Sequence, residues 1–368
     1  MLTDGLKLSV YLGERDRAGE GLLADALMDG FAVAGVRAGA LLRGVEGFGI
    51  RHRLQTERLL TLSEDLPAVA VAVDRPARIE ALLEHVRGQS GHGLITLERV
   101  ALEDGAAPTS LPSPQGESLK LSIFGTRGAR AGGVPAHVAA VELLHGHGAA
   151  GASVTLGVDG AARGRRLRAR FLARNPDVPV LIEAIGSHGA ITDALPELAR
   201  LFEDPLMTIE RVLICKRDGV LLAEPRLAAE SDPAGLAYWQ KLVVQTGEHA
   251  RGEQGQIHSA LVRQLRREGA AGATSLRAQW GYSGAHRPHG ERLLALGRRV
   301  PVLTVVLDTP ANMRRWFAIV DEMTPRTGLV TSEIVPALRA SGPGIAHGGL
   351  SLAAPVARAQ SPRRRQSR

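Results

Sequence analysis

The sequence predicts an α+β protein made of three tandem copies of one domain, each with the element order β-α-β-β-α-β. Three observations carry this. Lys7, Lys120 and Lys241 each mark a short apolar run, Leu6–Leu12, Leu119–Phe124 and Lys241–Val244. Each lysine lies 28 residues before a glycine that ends a helix-like segment, and those glycines begin the related strings Gly35-Val36-Arg37-Ala38-Gly39-Ala40, Gly148-Ala149-Ala150-Gly151-Ala152-Ser153 and Gly269-Ala270-Ala271-Gly272-Ala273-Thr274. Each copy then has an apolar strand led by Pro67, Pro179 or Pro301 and closes on a Thr/Ser-Glu strand at Thr96–Val100, Thr208–Val212 or Thr331–Val335. The lysine-to-lysine period is 113 and then 121 residues, which is domain-sized and far longer than a solenoid repeat.

Copy one justifies the element order. Leu6–Leu12 is a strand in which apolar residues surround Lys7 and Ser9. A charged turn, Gly13-Glu14-Arg15-Asp16-Arg17, follows. A helix from about Glu20 to Ala34 carries Leu23, Leu27, Phe31 and Ala34 at helical spacing, and Gly35 stops it. The second strand covers Ala40–Val45, and a long loop runs from Glu46 to Asp65 with a short amphipathic stretch near Leu54–Leu62. Pro67 opens the third strand, where Val69, Val71 and Val73 alternate with alanines. Asp74 caps the next helix, with Pro76 in its first turn, and that helix carries Ile79, Leu82, Leu83 and Val86. Leu94–Leu102 is the fourth strand. This order is the ferredoxin-like split unit, two helices on one face of an antiparallel sheet. The domains are expected at 1–105, 117–220 and 237–340, with linkers rich in proline and small or polar residues between them and a disordered basic tail at 341–368.

Composition narrows the function classes. Hydrophobic residues at 44% suffice for three cores, and aromatics at 3% make those cores Leu, Val, Ile and Ala. The lone Cys215 excludes a disulfide framework and reads as a buried strand thiol. No run approaches the roughly 20 apolar residues of a membrane span, and the start reads as no secretory signal, so a cytoplasmic location is expected. Five arginines in the tail account for five of the seven net positive charges, leaving +2 for the folded part. Specific nucleic-acid binding is not expected from so neutral a body.

Several strings in copy one carry a family resemblance: Leu6-Lys7-Leu8-Ser9-Val10-Tyr11-Leu12-Gly13-Glu14-Arg15-Asp16-Arg17, Leu42-Arg43-Gly44-Val45-Glu46-Gly47-Phe48-Gly49, and Arg58-Leu59-Leu60 with Leu62-Ser63-Glu64-Asp65-Leu66-Pro67. They resemble the bacterial domain-of-unknown-function family DUF190, whose members look like PII signalling proteins. Gln55 stands where the family commonly has histidine. Copy three matches more loosely through Gly247–Arg251 and Arg277–Tyr282, and keeps His289 at the Gln55 position. Copy two has lost most motif residues; Gly125-Thr126-Arg127 replaces the acidic turn. The resemblance implies a non-enzymatic regulator that binds an adenine nucleotide or similar effector in clefts between domains, with no resident cofactor. It also implies an output loop after the second strand and a partner such as a membrane transporter or channel. Three copies in one chain imply an intramolecular pseudo-trimer, monomeric, with unequal clefts.

The candidate site residues follow from charge and backbone freedom. Arg87-Gly88-Gln89-Ser90-Gly91-His92-Gly93 resembles the phosphate-contacting loop of PII proteins. Its glycines Gly88, Gly91 and Gly93 let amides approach a phosphate, and Arg87 supplies charge. Copy three keeps only Arg326 and Gly328 there, and copy two has Glu203-Asp204-Pro205, which should repel phosphate. Glu14, Arg15 and Arg17 belong to the charged turn, as cleft residues or a self-paired surface loop. Arg43, Gly44, Glu46, Gly47, Phe48 and Gly49 form a loop in which Phe48 reads as a partner or ligand contact, and Trp280 and Tyr282 repeat that signal. The run Arg163, Arg165, Arg166, Arg168 and Arg170 reads as a solvated helical face or a phosphate-binding patch. His145/His147 and His286/His289 have metal-compatible spacing, so a copper-tolerance-like metal trimer is one alternative and a ferredoxin-like small-molecule enzyme another.

Overall fold

The computed structural model describes residues 2–49, 52–56, 65–89, 93–103, 118–169, 175–225, 229–284, 286–290, 300–342 and 345–356. Repeat one contains β1 (Leu2–Gly13), α1 (Leu23–Val33), β2 (Ala38–Phe48), β3 (Pro67–Asp74), α2 (Pro76–Gln89) and β4 (Gly93–Glu103). Repeat two contains β5 (Ser118–Thr126), α3 (Ala136–Gly146), β6 (Gly151–Ala162), β7 (Pro179–Ser187), α4 (His188–Leu201) and β8 (Leu206–Arg217). Repeat three contains β9 (Trp239–Gly247), α5 (Ile257–Arg267), β10 (Ala273–Arg277), β11 (Trp280–Ser283), β12 (Pro301–Asp308), α6 (Pro310–Met323) and β13 (Leu329–Val335). A last hairpin, β14 (Ala337–Gly342) and β15 (Ile345–Gly349), follows.

Each repeat is a four-stranded antiparallel sheet in the order β2-β3-β1-β4, β6-β7-β5-β8 or β10-β12-β9-β13. The fold is therefore the ferredoxin-like α+β unit, three times. Period-two alternation explains how each sheet is used. Leu6, Leu8, Val10 and Leu12 of β1 face the helices α1 and α2 in one core, and Lys7, Ser9 and Tyr11 face the other way. The same alternation separates Leu119, Leu121 and Ile123 from Lys120, Ser122 and Phe124, and Leu242 and Val244 from Lys241, Val243 and Gln245. Cys215 lies in the third core, where burial pushes its thiol up to about 12.

The repeats join edge to edge. The second strands pair in a cycle: β2 with β6, β6 with β11, and β10 with β2. The fourth strands do likewise: β4 with β8, β8 with β13, and β14 with β4. A sheet edge left open is a template for unwanted pairing, and these edges are occupied by the neighbouring repeat.

Where the helix-free sheet faces meet, the three lysines and three glutamates of the repeat motif form one closed ring. Lys7 Nζ lies 2.6 Å from Glu210 and 3.5 Å from Glu98. Lys120 lies 2.5 Å from Glu333 and 3.2 Å from Glu210. Lys241 lies 2.8 Å from Glu333 and closes the ring on Glu98. All six residues are buried, at 4–7% exposure. Burial alone would raise the Glu98 and Glu333 carboxyls, but the surrounding lysines outweigh it and hold both well below the usual range. Burial likewise opposes the charge on Lys120, and Glu210 and Glu333 overcome it and raise its pKa. A buried charge is tolerable only when fully paired. Each repeat brings one cation and one anion, and each lysine reaches a glutamate of another repeat.

Beside the ring lies a cavity of about 80 Å³ lined by Ser9, Ser122, Ser153 and Glu183 among apolar side chains. Glu183 pairs with Ser122 across strands; the corresponding positions are Val71, opposite Ser9, and Val305, opposite Val243. Burial raises the Glu183 carboxyl despite Lys120 and Lys7.

The sequence expectations need amendment at both ends of the elements. The second strand of repeat one runs to Phe48, so Glu46–Phe48 is strand and not loop. A small hairpin, Arg17–Ala18 with Gly21–Leu22, precedes α1 and shortens it. The tail expected from 341 begins as structure: β15 pairs with β14, and Leu350 and Ala353 are buried. The strand continuing past Pro336 and the apolar anchor Leu350, which joins the core of repeat one, outweigh the Gly/Ser/Arg composition. Tyr238 donates to the Ala354 carbonyl at 2.7 Å, which ties the second linker to this segment. The first linker and residues 357–368 lie outside the described residues. No helix among the described residues is long and apolar enough to cross a membrane.

Two outcomes are expected. Lys120→Met leaves an excess buried carboxylate and should lower the unfolding free energy by about 3–5 kcal/mol, measured by urea denaturation; a loss below about 1 kcal/mol would show that the ring does not constrain the fold. Glu183→Val restores the residue type of the other two repeats. Because the folded Glu183 carboxyl binds its proton more tightly than the unfolded one, its presence destabilises increasingly as pH rises above the ordinary carboxylate value of 4.5. The melting-temperature gain of Glu183→Val over the native chain should therefore grow with pH from about 4.5 upward.

Candidate functional site

Two kinds of residue were candidates in repeat one, and the structure separates them. The first kind belongs to the joints between repeats. Phe48 is 3% exposed and sits in the core of repeat three with Leu261, Leu265 and Trp316, while its ring stacks 5.8 Å from His52. It is therefore a core plug, not a partner or ligand contact. Tyr282 does the same in the core of repeat two, with its hydroxyl donating to the Ala149 carbonyl at 3.2 Å and its ring edge-on to His145 at 4.9 Å. Trp280 packs against that same core, and Ala161 of repeat two enters the core of repeat one. Each second strand thus runs past its own sheet and plugs the next repeat.

The flanking glycines serve this joint. A Cβ on Gly47 would lie 2.7 Å from the Ala273 carbonyl oxygen, and one on Gly44 would lie 2.7 Å from Pro67 and 3.1 Å from the Ser275 carbonyl. They permit strand contact, not loop flexibility. Gly49, just beyond, is exposed with open space around it. Glu46 is buried and accepts a hydrogen bond from Ser259 of α5; burial raises its pKa against the pull of Ser259 and Arg263. The basic run of repeat two is a hairpin and not a helix, Arg165–Arg166 pairing with β6. Arg166 clamps Asp159 of its own repeat (2.6 Å) and Asp29 of α1 (2.6 Å), and also bonds Asp25.

The second kind gathers at one end of the repeat-one sheet. Gly13 pairs with Pro67, Arg43 with Ala68, and Gly93 is adjacent to Leu94, which pairs with Tyr11. There Arg43, with its side chain 55% exposed, forms an ion pair with Glu14. The backbone amide of Arg15 donates to Asp65 at 2.9 Å, and Gln55 donates to the other oxygen of that carboxylate at 2.9 Å. Sequence reasoning missed Asp65 as an anchor. Gly93 has φ +123 with its Cβ position 2.9 Å from the Tyr11 carbonyl, and it pairs with Ser341 of repeat three. Repeat three abuts repeat two in the same way, the Asp218 amide donating to the Gly328 carbonyl at 2.8 Å. Arg17 bonds the Glu20 carbonyl in the surface hairpin, at 3.1 Å, and Arg87 pairs with exposed Glu84 at 2.7 Å; neither is held in the group around Arg43. Gly88 is open, and Gly91 lies outside the described residues.

The Glu14–Arg43 pair has an equivalent in repeat three, Glu248–Arg277 at 3.0 Å. At the matching positions repeat two has Arg127 and Leu156. His258 of α5, near the repeat-three pair, is held neutral, its pKa down to about 4 through burial first and then Arg277 and Arg263. Of the histidine pairs, the first is engaged elsewhere: His145 packs on Tyr282 and His147 pairs with Glu197 at 3.1 Å. Among the described residues, the carboxylates close enough to share an ion are Glu98, Glu210 and Glu333, which the lysines already bind.

Comparison with known families follows this threefold geometry. The model of DUF190, described as "Uncharacterized ACR", matches residues 5–102, 118–214 and 239–337. The chain belongs to the DUF190 family. Each match spans one ferredoxin-like repeat, so the structure is that of three fused DUF190 domains. Among solved structures, an aspartate kinase from Synechocystis is similar at 12% identity and a TM-score of 0.23, over 93% of this chain and 46% of the other. So slight a likeness carries no argument about function, and this chain spans under half of that protein.

Removing the Phe48 ring empties a plug in a neighbouring core. Phe48→Ala should cost about 3–5 kcal/mol of stability in chemical denaturation. A cost near zero would place the ring outside the repeat-three core.

Proposed function

We propose that this DUF190 protein is a regulatory small-molecule sensor and not an enzyme, in which one chain closes as a pseudo-trimer and does the work of three subunits. The effector is an adenine nucleotide or a close relative, bound at the cleft ends of repeats one and three. The observation that carries this reading is the Glu-Arg pair, present as Glu14–Arg43 and Glu248–Arg277 and replaced in repeat two by Arg127 and Leu156. Arg43, half-exposed in its pair with Glu14, can exchange that carboxylate for a phosphate at modest cost, since both present oxygens to the same planar fork. The neighbouring repeat completes each cleft, through Ser341 beside Gly93 and Asp218 beside Gly328. Binding therefore acts on a joint between repeats and is able to bias their packing. The connection between β2 and β3 starts at the Phe48 plug and returns at Asp65 beside Arg15, which makes it the element suited to report occupancy to a partner protein.

Calorimetric titration with ATP, ADP, AMP and cyclic AMP, with and without magnesium, tests the proposal. The expected result is saturable binding at fewer than three sites per chain, weakened at least about tenfold by Arg43→Ala. Absence of binding by all four overturns the nucleotide reading. Unchanged affinity in Arg43→Ala overturns the placement of the site.

A further inference from the structure

The cavity beside the lysine–glutamate ring holds a polar group that neither the ring nor the proposed effector clefts use. Its walls come from all three sheets, and its volume of about 80 Å³ exceeds several-fold the roughly 10–15 Å³ that one water needs. One wall is polar. Glu183 of β7 pairs with Ser122 of β5 on one side and with Ser153 of β6 on the other. Residues directly opposite on adjacent strands have Cβ atoms about 5 Å apart, so a carboxyl flanked by two hydroxyls forms one short row. All three residues line the cavity. Ser122 and Ser153 are 2% and 1% exposed. Among the described residues neither hydroxyl makes a hydrogen bond, and the Glu183 carboxyl makes no hydrogen bond or ion pair.

The charges around this row are one cation short. The titratable groups that face the cavity with Glu183 are Lys7, Lys120, Lys241, Glu98, Glu333 and the Tyr11 phenol. The lysines are committed to the ring, where three cations meet three anions, Glu210 being the third. An ionised Glu183 is therefore a fourth carboxylate against three ammoniums. Burial raises its pKa even with the lysines near.

The other walls are apolar and include Leu42, Val71, Leu276 and Val305. The polar row is confined to repeat two. The corresponding rows are Ser9, Val71 and Ala40 in repeat one, and Val243, Val305 and Thr274 in repeat three. Closing the centre needs no carboxyl, since two of the three sheets meet it with valine. The arrangement is also unlike a cage for a bare metal cation. Calcium takes about six to eight oxygens around it, whereas the oxygens here stand in one row with valine and leucine across from them.

We infer that the central cavity is a binding site for a short primary alkylammonium ion. Its three N–H groups match the Glu183 carboxylate and the two serine hydroxyls, and its carbon tail covers the valines and leucines opposite. The ion takes the place of a proton: the neutral acid releases its O–H proton to solvent, and the carboxylate pairs with the ammonium. This site is separate from the Arg43 cleft and does not rest on it.

Calorimetry and thermal denaturation of the full chain at constant ionic strength test the inference. Methylammonium and ethylammonium chloride are the probes; sodium and tetramethylammonium chloride are the controls. A ligand of two or three heavy atoms binds no tighter than about millimolar, which sets the concentration range. At pH 8 both amines should bind once per chain and raise the melting temperature in a saturable way, and the controls should not. Affinity should fall as pH drops toward the ordinary carboxylate value of 4.5, because the proton then competes for Glu183. Glu183→Gln keeps the shape and removes the charge, so it should lose at least about tenfold in affinity. Ser122→Ala/Ser153→Ala should lose several-fold and keeps the test decisive should Glu183→Gln not fold. Arg43→Ala should leave amine binding unchanged. No saturable binding of either amine at pH 8 means that the cavity holds water only and overturns the inference. So does an equal effect of either control, full affinity in Glu183→Gln or the serine double variant, or loss of amine binding in Arg43→Ala.

Discussion

The ring of alternating lysines and glutamates is the constraint on which the rest of the molecule depends. Each repeat supplies one lysine from its first strand and one glutamate from its fourth, and buries both on the sheet face away from its helices. One repeat alone would hold an ion pair stripped of water on a broad apolar face, a costly arrangement. With three repeats every charge finds two opposite neighbours. The strands that carry these residues must then stand in fixed register, and the paired edges of the second and fourth strands follow. Position Glu183 shows how exacting the centre is, because one added carboxyl there titrates against its burial.

Around that centre the repeats exchange parts. The second strands reach past their own sheets, and Phe48, Ala161 and Tyr282 fill the cores of their neighbours. Ligand clefts in such an architecture cannot be private to one repeat. Ser341 of the last hairpin stands beside Gly93 at the repeat-one end, and Asp218 of repeat two stands beside Gly328 at the repeat-three end. An effector bound at one cleft, as we propose, would meet a joint, and a joint is where small displacements change domain packing.

Much of this was legible in the sequence. The triplication, the strand order and the helical faces followed from spacing and period, because local patterns of apolar residues encode them directly. The loss of motif residues in repeat two was also readable, as Arg127 stands where Glu14 and Glu248 stand. What escaped was everything that depends on a neighbour. Phe48 between glycines looks like an exposed loop residue until another repeat supplies its core. Lys7, Lys120 and Lys241 were read as markers of repetition, although charge at the centre of three apolar strands was itself the signal of a buried partner. The C-terminal hairpin was hidden by composition, since its strand pairs with β4, more than two hundred residues away in sequence.

The continuity of the chain has a consequence for how this protein can change. A trimer of identical subunits carries every substitution in triplicate, so a residue that helps one interface and harms another cannot be kept at one place only. Here repeat one has Arg37, Arg75 and Arg78 where the other two repeats hold alanine, serine, threonine and asparagine. One repeat alone has a glutamate, Glu183, on its third strand where the others have Val71 and Val305, and one repeat alone lacks the Glu-Arg pair. The covalent links let each interface drift by itself while the other two hold the assembly together, which turns a symmetric ring into three addressable positions.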